Sequence, residues 1–279
     1  MHWLIQGNLI KESDAKRIVD ALKAEGSSFS RIKVKPFTDR IRMPYKQTVK
    51  PGDAVVALGS TTLCQVIRDK KLFRPGVWWN ENFNFETQRD WYGELMLNHD
   101  AEVHAFRDIP SFQGTRFIRP VDDGKLFSGE VIHSMQFDSW RERALDYQTG
   151  NLLDARVMVS TVKDVRLEYR FFVVDGTVVT GSQYSVKGKF AERALDPFNG
   201  YDQKAINFAK LMMDCPNKID ECYVMDIALV DDVHEPYIVE FNCLNGSGVY
   251  LSDVRKLVRA IETFVVKKYA NVSPVQVVP

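Results

Sequence analysis

The chain has 279 residues, 45% of them hydrophobic and 27% charged, with 37 Lys and Arg balancing 37 Asp and Glu. That is enough chain to bury a large core, in one elaborate domain or a few lobes, and the composition is ordinary for a globular protein. No run of about eighteen apolar residues occurs, which excludes an apolar helix across a membrane, and four scattered cysteines and five histidines show no zinc spacing.

Residues 1–6 read as a first strand, because no basic region precedes the apolar start as it would in a signal peptide. A helix is predicted near 12–25, with Glu12, Ser13 and Asp14 as cap chemistry, and a short strand over 31–37. After a turn at Pro51, Gly52 and Asp53, residues 54–58 form a buried strand, Gly59 and Ser60 a tight turn, and 61–67 a helix. Strand, turn and helix in that order describe an α/β lobe with its ligand crevice at the strand's carboxyl end. Residues 1–50 carry eleven Lys and Arg against five Asp and Glu, which suits either a solvated face or an anionic substrate or partner.

Residues 85–97 have helical periodicity, with Trp91, Leu95 and Met96 inward. From 115 the pattern turns to strands: 116–120, a turn at 122–124, then 125–132, followed by a helix over 139–147. Strands over 156–160 and 167–174 lead to an Asp175-Gly176 hairpin turn and a strand over 177–180. A polar interlude spans 185–199, then a helix over 202–213, two strands carrying Asp226 and Glu240, a closing helix over 251–268 and a tail over 273–279. The division this suggests is an α/β lobe over 1–110 and an antiparallel α+β body over 111–279. The cysteines read as free thiols of a reducing cytosol, with Cys243 a packing residue.

Glu240 and Asn242 are two apart and share a strand face. With Asp226 from the preceding strand they make an oxygen-rich set suited to Mg2+, whose shell substrate phosphates complete. Runs as apolar as Tyr237-Ile238-Val239 and Ile227-Ala228-Leu229-Val230 are poor company for a carboxylate that has no partner. Glu168 and Arg170 share another strand face, as an ion pair or as a functional one, and an ion pair among apolar residues often only breaks even. Arg119 and Lys125 add cations, and basic groups converging on a divalent ion are what polyphosphate transfer needs.

In order and spacing, Phe117-Ile118-Arg119-Pro120, Lys125-Leu126-Phe127-Ser128-Gly129, the run from Glu168 to Gly176, Val224-Met225-Asp226-Ile227-Ala228 and Val239-Glu240-Phe241-Asn242 resemble the ATP-grasp superfamily. The chain looks most like a small branch of it encoded by bacteria and phages. The resemblance implies a two-lobed antiparallel α+β catalytic body behind a variable first lobe, and use of ATP and Mg2+. Carried over, Asp226, Glu240 and Asn242 are metal ligands, and Arg170 contacts the γ-phosphate or an acylphosphate. Met158, Val159 and Ser160 offer backbone groups to the adenine edge, and Glu168 joins the nucleotide site. Arg119 stands where many members carry a lysine on the α- and β-phosphates, a role Lys125 can take instead. Lys187 matches a further phosphate-contacting lysine or is a solvated loop residue. Trp78, Trp79, Arg89 and Arg116 are candidates for substrate contact or for packing.

The reading is an ATP- and Mg2+-dependent carboxylate–amine ligase acting through an acylphosphate, located in the cytoplasm of a bacterial cell or phage-infected host. Its partners are a small-molecule or peptide carboxylate and an amine acceptor. The alternatives are a kinase-like phosphotransferase that stops after phosphoryl transfer and a non-catalytic nucleotide-binding scaffold or sensor.

Overall fold

The computed structural model describes residues 1–8, 12–35, 41–42, 49–50, 52–121, 127–147 and 152–269. Lys125, Pro51, the turn at 122–124 and the tail over 273–279 lie outside the described residues. The chain opens with β1 (His2–Gln6), α1 (Glu12–Ala24), β2 (Phe29–Val34), β3 (Ile41–Arg42), β4 (Val55–Leu58), α2 (Thr61–Lys70) and β5 (Pro75–Gly76). These strands form one sheet in the order β3-β2-β1-β4-β5, parallel except for the β2–β3 pair. Helices cover both faces, so β1 is buried along its whole length and reads as a continuous apolar run. The chain leaves β1 toward β2 and later returns on its other side as β4, which places a switch-point crevice at the carboxyl ends of β1 and β4. Ser60 caps α2 there by accepting from the Leu63 N–H, and Gln6 accepts from both the Ser60 N–H and its hydroxyl.

Next come α3 (Phe85–Tyr92), β6 (Glu102–Ala105), β7 (Thr115–Pro120), β8 (Glu130–His133), α4 (Phe137–Tyr147) and β9 (Arg156–Thr161). The strands make an antiparallel sheet in the order β6-β9-β7-β8. The helix expected over 85–97 stops at Tyr92, because Gly93 takes φ 53 and closes the last turn on the Arg89 carbonyl. Leu95 consequently turns outward, whereas Met96 stays fully buried.

The remainder is β10 (Val165–Val174), β11 (Thr177–Val186), β12 (Lys189–Ala194), α5 (Gly200–Leu211), β13 (Cys222–Val230), β14 (Glu235–Cys243) and α6 (Val254–Tyr269). The strands form an antiparallel sheet in the order β12-β11-β10-β13-β14. Asp175 and Gly176 both take positive φ, 49° and 71°, the conformation that a tight hairpin with native twist requires. The expected strand over 177–180 continues to Val186, and the polar interlude holds β12, an exposed edge strand whose side chains alternate too weakly to be read as one.

β10 separates two cores by its alternation. Tyr169, Phe171 and Val173 face α5 together with Met225, Ile227 and Leu229. Phe172 and Val174 face the other way and share a core with Trp3 and Ile5 of β1, Ile18 and Leu22 of α1, and Leu257 and Ile261 of α6. Burying each such aromatic or aliphatic side chain contributes about 1.5–3 kcal/mol. This second core clamps the first sheet to the body and leaves the earlier part of the β10 face, Glu168 and Arg170, free of apolar cover.

Candidate active site

Three neighbouring strands bring the polar residues together. Across the ladder Arg170 of β10 is opposite Asp226 of β13, and Asp226 is opposite Glu240 of β14. Arg170 donates from Nε to Asp226 Oδ1 at 2.8 Å and from Nη2 to Oδ2 at 2.6 Å, the bidentate fork that a guanidinium makes on a carboxylate. Asn242 Nδ2 donates to Asp226 Oδ2 at 3.1 Å and to Glu240 Oε1 at 2.9 Å. Arg119 reaches in from β7 in the other sheet, with Nη1 2.6 Å from Glu240 Oε2. Glu168 does not pair with Arg170. Its Oε2 accepts from the Tyr184 hydroxyl at 2.9 Å.

Two tyrosines complete the arrangement and were not foreseen. The Arg170 guanidinium lies 4.9 Å from the Tyr250 ring centre and 5.6 Å from that of Tyr184, and the two rings stack at 5.1 Å. Tyr184 was legible only if β11 had been extended past Thr180. Tyr250 follows a loop whose position no local pattern reveals.

The charges do not balance. Burial works against the Arg170 charge, yet Asp226 beside it holds the guanidinium protonated. Burial pushes the Asp226 carboxyl above the usual range despite Arg170, and Glu240 and Glu168 add to the push. Burial also pushes Glu240 upward, but Arg119, Asn242 and Arg170 outweigh it and hold Glu240 below the ordinary value. Burial is thus the main cause at Asp226 and the Asp226 charge the main cause at Arg170, with three carboxylates against two guanidiniums in the cluster.

That surplus bears on a divalent cation. Among the described residues no group of three His, Cys, Asp or Glu is placed to hold a metal. The third donor here is an amide, and one nitrogen of Asn242 lies within hydrogen-bond reach of both carboxylates. Mg2+ takes oxygen ligands, so these residues would hold it through the two carboxylates and Asn242 Oδ1, with the amide turned to present its oxygen in place of Nδ2.

The other expected residues fall elsewhere. Met158 and Val159 lie in β9, the inner strand of its sheet, paired with β6 on one side and β7 on the other. Their backbone groups take part in the ladders on both sides. Ser160 gives its hydroxyl to Asn98 Oδ1 at 3.0 Å. Lys187 stands at the β11–β12 turn and lines a groove with Arg166, Arg193 and His234, apart from Arg170. Trp78 is buried against Phe264, Arg89 bonds the Ala101 carbonyl, and Arg116 lies over Phe112, all of them packing roles. Trp79 lines a small hollow with Asn242 and Gly246. The four cysteines are free, and Cys64, Cys222 and Cys243 are buried.

Beside the polar cluster lies a cavity of about 560 Å3 between Gly59-Ser60-Thr61, α1, α6 and the loop over 244–250. The two lobes touch here, with the Gly59 N–H donating to the Asn245 carbonyl at 2.9 Å. Asn245 also holds the Trp78 N–H and the Ala57 carbonyl, so a single buried amide fixes the loop against β4. No helix among the described residues is long and apolar enough to cross a membrane.

Comparison with known proteins places this geometry. Residues 46–261 match the model of an ATP-grasp domain family, family 3 of its clade. The fold is similar to D-alanine–D-alanine ligase from Bacillus anthracis complexed with ATP, at TM-score 0.60 and 13% identity over 95% of this chain and 96% of that one. It is also similar to the ATP-grasp ligase PsnB complexed with a minimal precursor, at TM-score 0.56 and 13% identity over 95% and 98%. D-cycloserine synthetase DcsG gives TM-score 0.57 and 12% identity over 94% and 98%. No curated protein matches the sequence.

Proposed function

The chain belongs to this ATP-grasp domain family, and from that premise we propose that it is an ATP- and Mg2+-dependent carboxylate–amine ligase working through an acylphosphate. One observation supports this most: the buried Asp226 and the half-buried Glu240 converge on one Asn242 amide while Arg170 and Arg119 reach them from two different sheets. A purely structural pair would need no second carboxylate and no second arginine.

In this reading a substrate carboxylate oxygen attacks the γ-phosphorus of ATP, ADP leaves, and an amine then attacks the acyl carbon and expels phosphate. Mg2+, held by Asp226, Glu240 and Asn242, supplies charge neutralisation at the phosphate oxygens. Arg170, set by its fork on Asp226 and by the two tyrosine faces, is a preorganised donor to the transferred group. Arg119 and Glu168 orient the same cluster, and Lys125 remains a proposed phosphate contact. ATP-grasp ligases such as PsnB and the D-alanine–D-alanine ligases are relatives of the fold, and the ligase chemistry proposed here follows theirs.

The test is incubation with ATP, Mg2+, pooled amino acids and peptides, and hydroxylamine. The reading expects ADP, phosphate and an acyl hydroxamate that forms only when Mg2+ is present. AMP as the product, or a phosphate ester with no hydroxamate, contradicts it.

A further inference from the structure

The cavity beside the cluster has an uneven chemistry. Asp14 is its only charged lining residue among those described, and no Lys, Arg or His faces it. Trp3, Ile18, Leu257 and Ile261 form an apolar wall. Asp14 is 92% buried, at 8% relative exposure, and its one hydrogen bond among the described residues is a long one, 3.3 Å from Oδ2 to the Val249 N–H. Its other oxygen has no partner among them. Asp14 lines the cavity, so an oxygen that takes no hydrogen bond from the described residues is an acceptor open to a ligand's donor there.

The carboxylate also sits next to the reacting cluster. A Cβ built on Gly248 would meet Asp14 Oδ2 at 3.3 Å, and the Gly248 carbonyl accepts from Arg170 Nη1 at 3.4 Å. One glycine therefore separates the cavity's acid from the guanidinium, and any side chain larger than hydrogen there would crowd the acid. A volume of about 560 Å3 is within the range of small-molecule pockets.

We propose that this cavity binds the amine substrate, a primary amine carrying a bulky apolar group, with its ammonium on Asp14 and its apolar part along Trp3, Ile18, Leu257 and Ile261. An anionic substrate is excluded from this cavity by the same lining, since it would meet a carboxylate and no cation. The proposal rests on the ligase reading for the word substrate, but the site itself does not.

Binding of probe amines without nucleotide separates the two. Phenethylamine and isoamylamine are titrated against the full chain by saturation-transfer NMR, beside 3-phenylpropionate and isoamyl alcohol as near-isosteres. The expected result is saturable binding of both amines, at least about 10-fold tighter than either isostere, the scale of one charge-assisted hydrogen bond. Asp14→Asn, which keeps the shape, weakens both amines by about the same factor, and a thermal melt checks that it folds. Equal or tighter binding of 3-phenylpropionate, no saturable amine binding up to about 20 mM, or full affinity in a folded Asp14→Asn overturns the proposal. Asp14-dependent amine binding without hydroxamate formation leaves this site standing and sinks the ligase reading, whereas hydroxamate formation without amine binding does the reverse.

Discussion

Tyr169 and Arg170 are consecutive on β10 and face opposite ways, and each meets a buried aspartate. On the α5 face Asp202 accepts from the Tyr169 hydroxyl at 3.0 Å, from Arg193 at 2.6 and 2.8 Å, and from the Asp196 N–H at 2.7 Å. Although burial pushes Asp202 upward, Arg193 and the other donors hold it below the ordinary value. On the opposite face Asp226 has a guanidinium fork of the same lengths and yet is pushed up, by its burial and by Glu240 and Glu168 nearby. The same residue types a peptide apart thus make a satisfied structural pair and an unsatisfied one. Around Asp226 three carboxylates meet two guanidiniums, an excess that the proposed cation would neutralise.

The largest expected effect is at the unsatisfied pair. Arg170→Ala leaves Asp226 buried without its fork, costing about 3–5 kcal/mol, the scale of breaking a buried pair. Differential scanning calorimetry should show a fall in melting temperature of about 10 °C, and ATP turnover should vanish. A melt within a degree or two of the parent would mean that Asp226 does not depend on Arg170.

Glu240→Gln comes second, and its effect is on turnover. It keeps the shape and the Asn242 contact and removes one negative charge, so turnover should drop by about 10²–10³-fold, the effect of losing one preorganised electrostatic group. Its melting temperature should change little. Parental turnover would remove Glu240 from the site.

Third, Asp202→Asn should lower stability by about 1–3 kcal/mol while leaving nucleotide binding unchanged. Its pH dependence sharpens the comparison. A carboxyl held low in the fold contributes stability that is present above its unfolded value of about 3.9 and is lost as pH falls through the folded pKa. The gap between parent and Asp202→Asn should therefore close on acidification. Asp226 is raised, so its sign is opposite: the parent loses ground to Asp226→Asn as pH rises from about 4 toward the folded pKa. Melting curves of both variants from about pH 3 to 7 that move in parallel would contradict the distinction.

The smallest effect is Tyr184→Phe, which removes the hydroxyl on Glu168 and keeps the ring under Arg170. A loss of about 0.5–1.5 kcal/mol in stability is expected, the worth of one hydrogen bond, with turnover reduced less than in Glu240→Gln. A collapse of turnover equal to that of Arg170→Ala would give the hydroxyl a direct role.

How much of this was legible follows the range of each interaction. Asp226, Glu240 and Asn242 could be placed together because a strand period of two and flanking apolar runs are local facts. The arginine opposite them was visible for the same reason, but its partner was not. Within-strand spacing pointed to Glu168, whereas the ladder register gives Arg170 to Asp226. That Met158 and Val159 lie in an inner strand was not legible, because no sequence pattern says which neighbours flank a strand. Asp14, Tyr250 and the Asn245 lock meet only through packing between β1, α1 and α6, far apart in the chain. Gly93 shows a different limit, since apolar periodicity continues through a residue whose backbone has already left the helix.

In the proposed site Asp226, Glu240 and Asn242 would hold a cation whose shell nucleotide phosphates complete. Manganese substitutes for magnesium in such oxygen sites and loses its free-ion electron paramagnetic resonance signal when bound. Titrating Mn2+ into the protein with a non-hydrolysable ATP analogue, in the parent and in Glu240→Gln, tests this directly. The account predicts nucleotide-dependent Mn2+ binding in the parent, weakened by about 10-fold or more in the variant, within the range for loss of one coordinating group. Equal Mn2+ binding by the two proteins would contradict it.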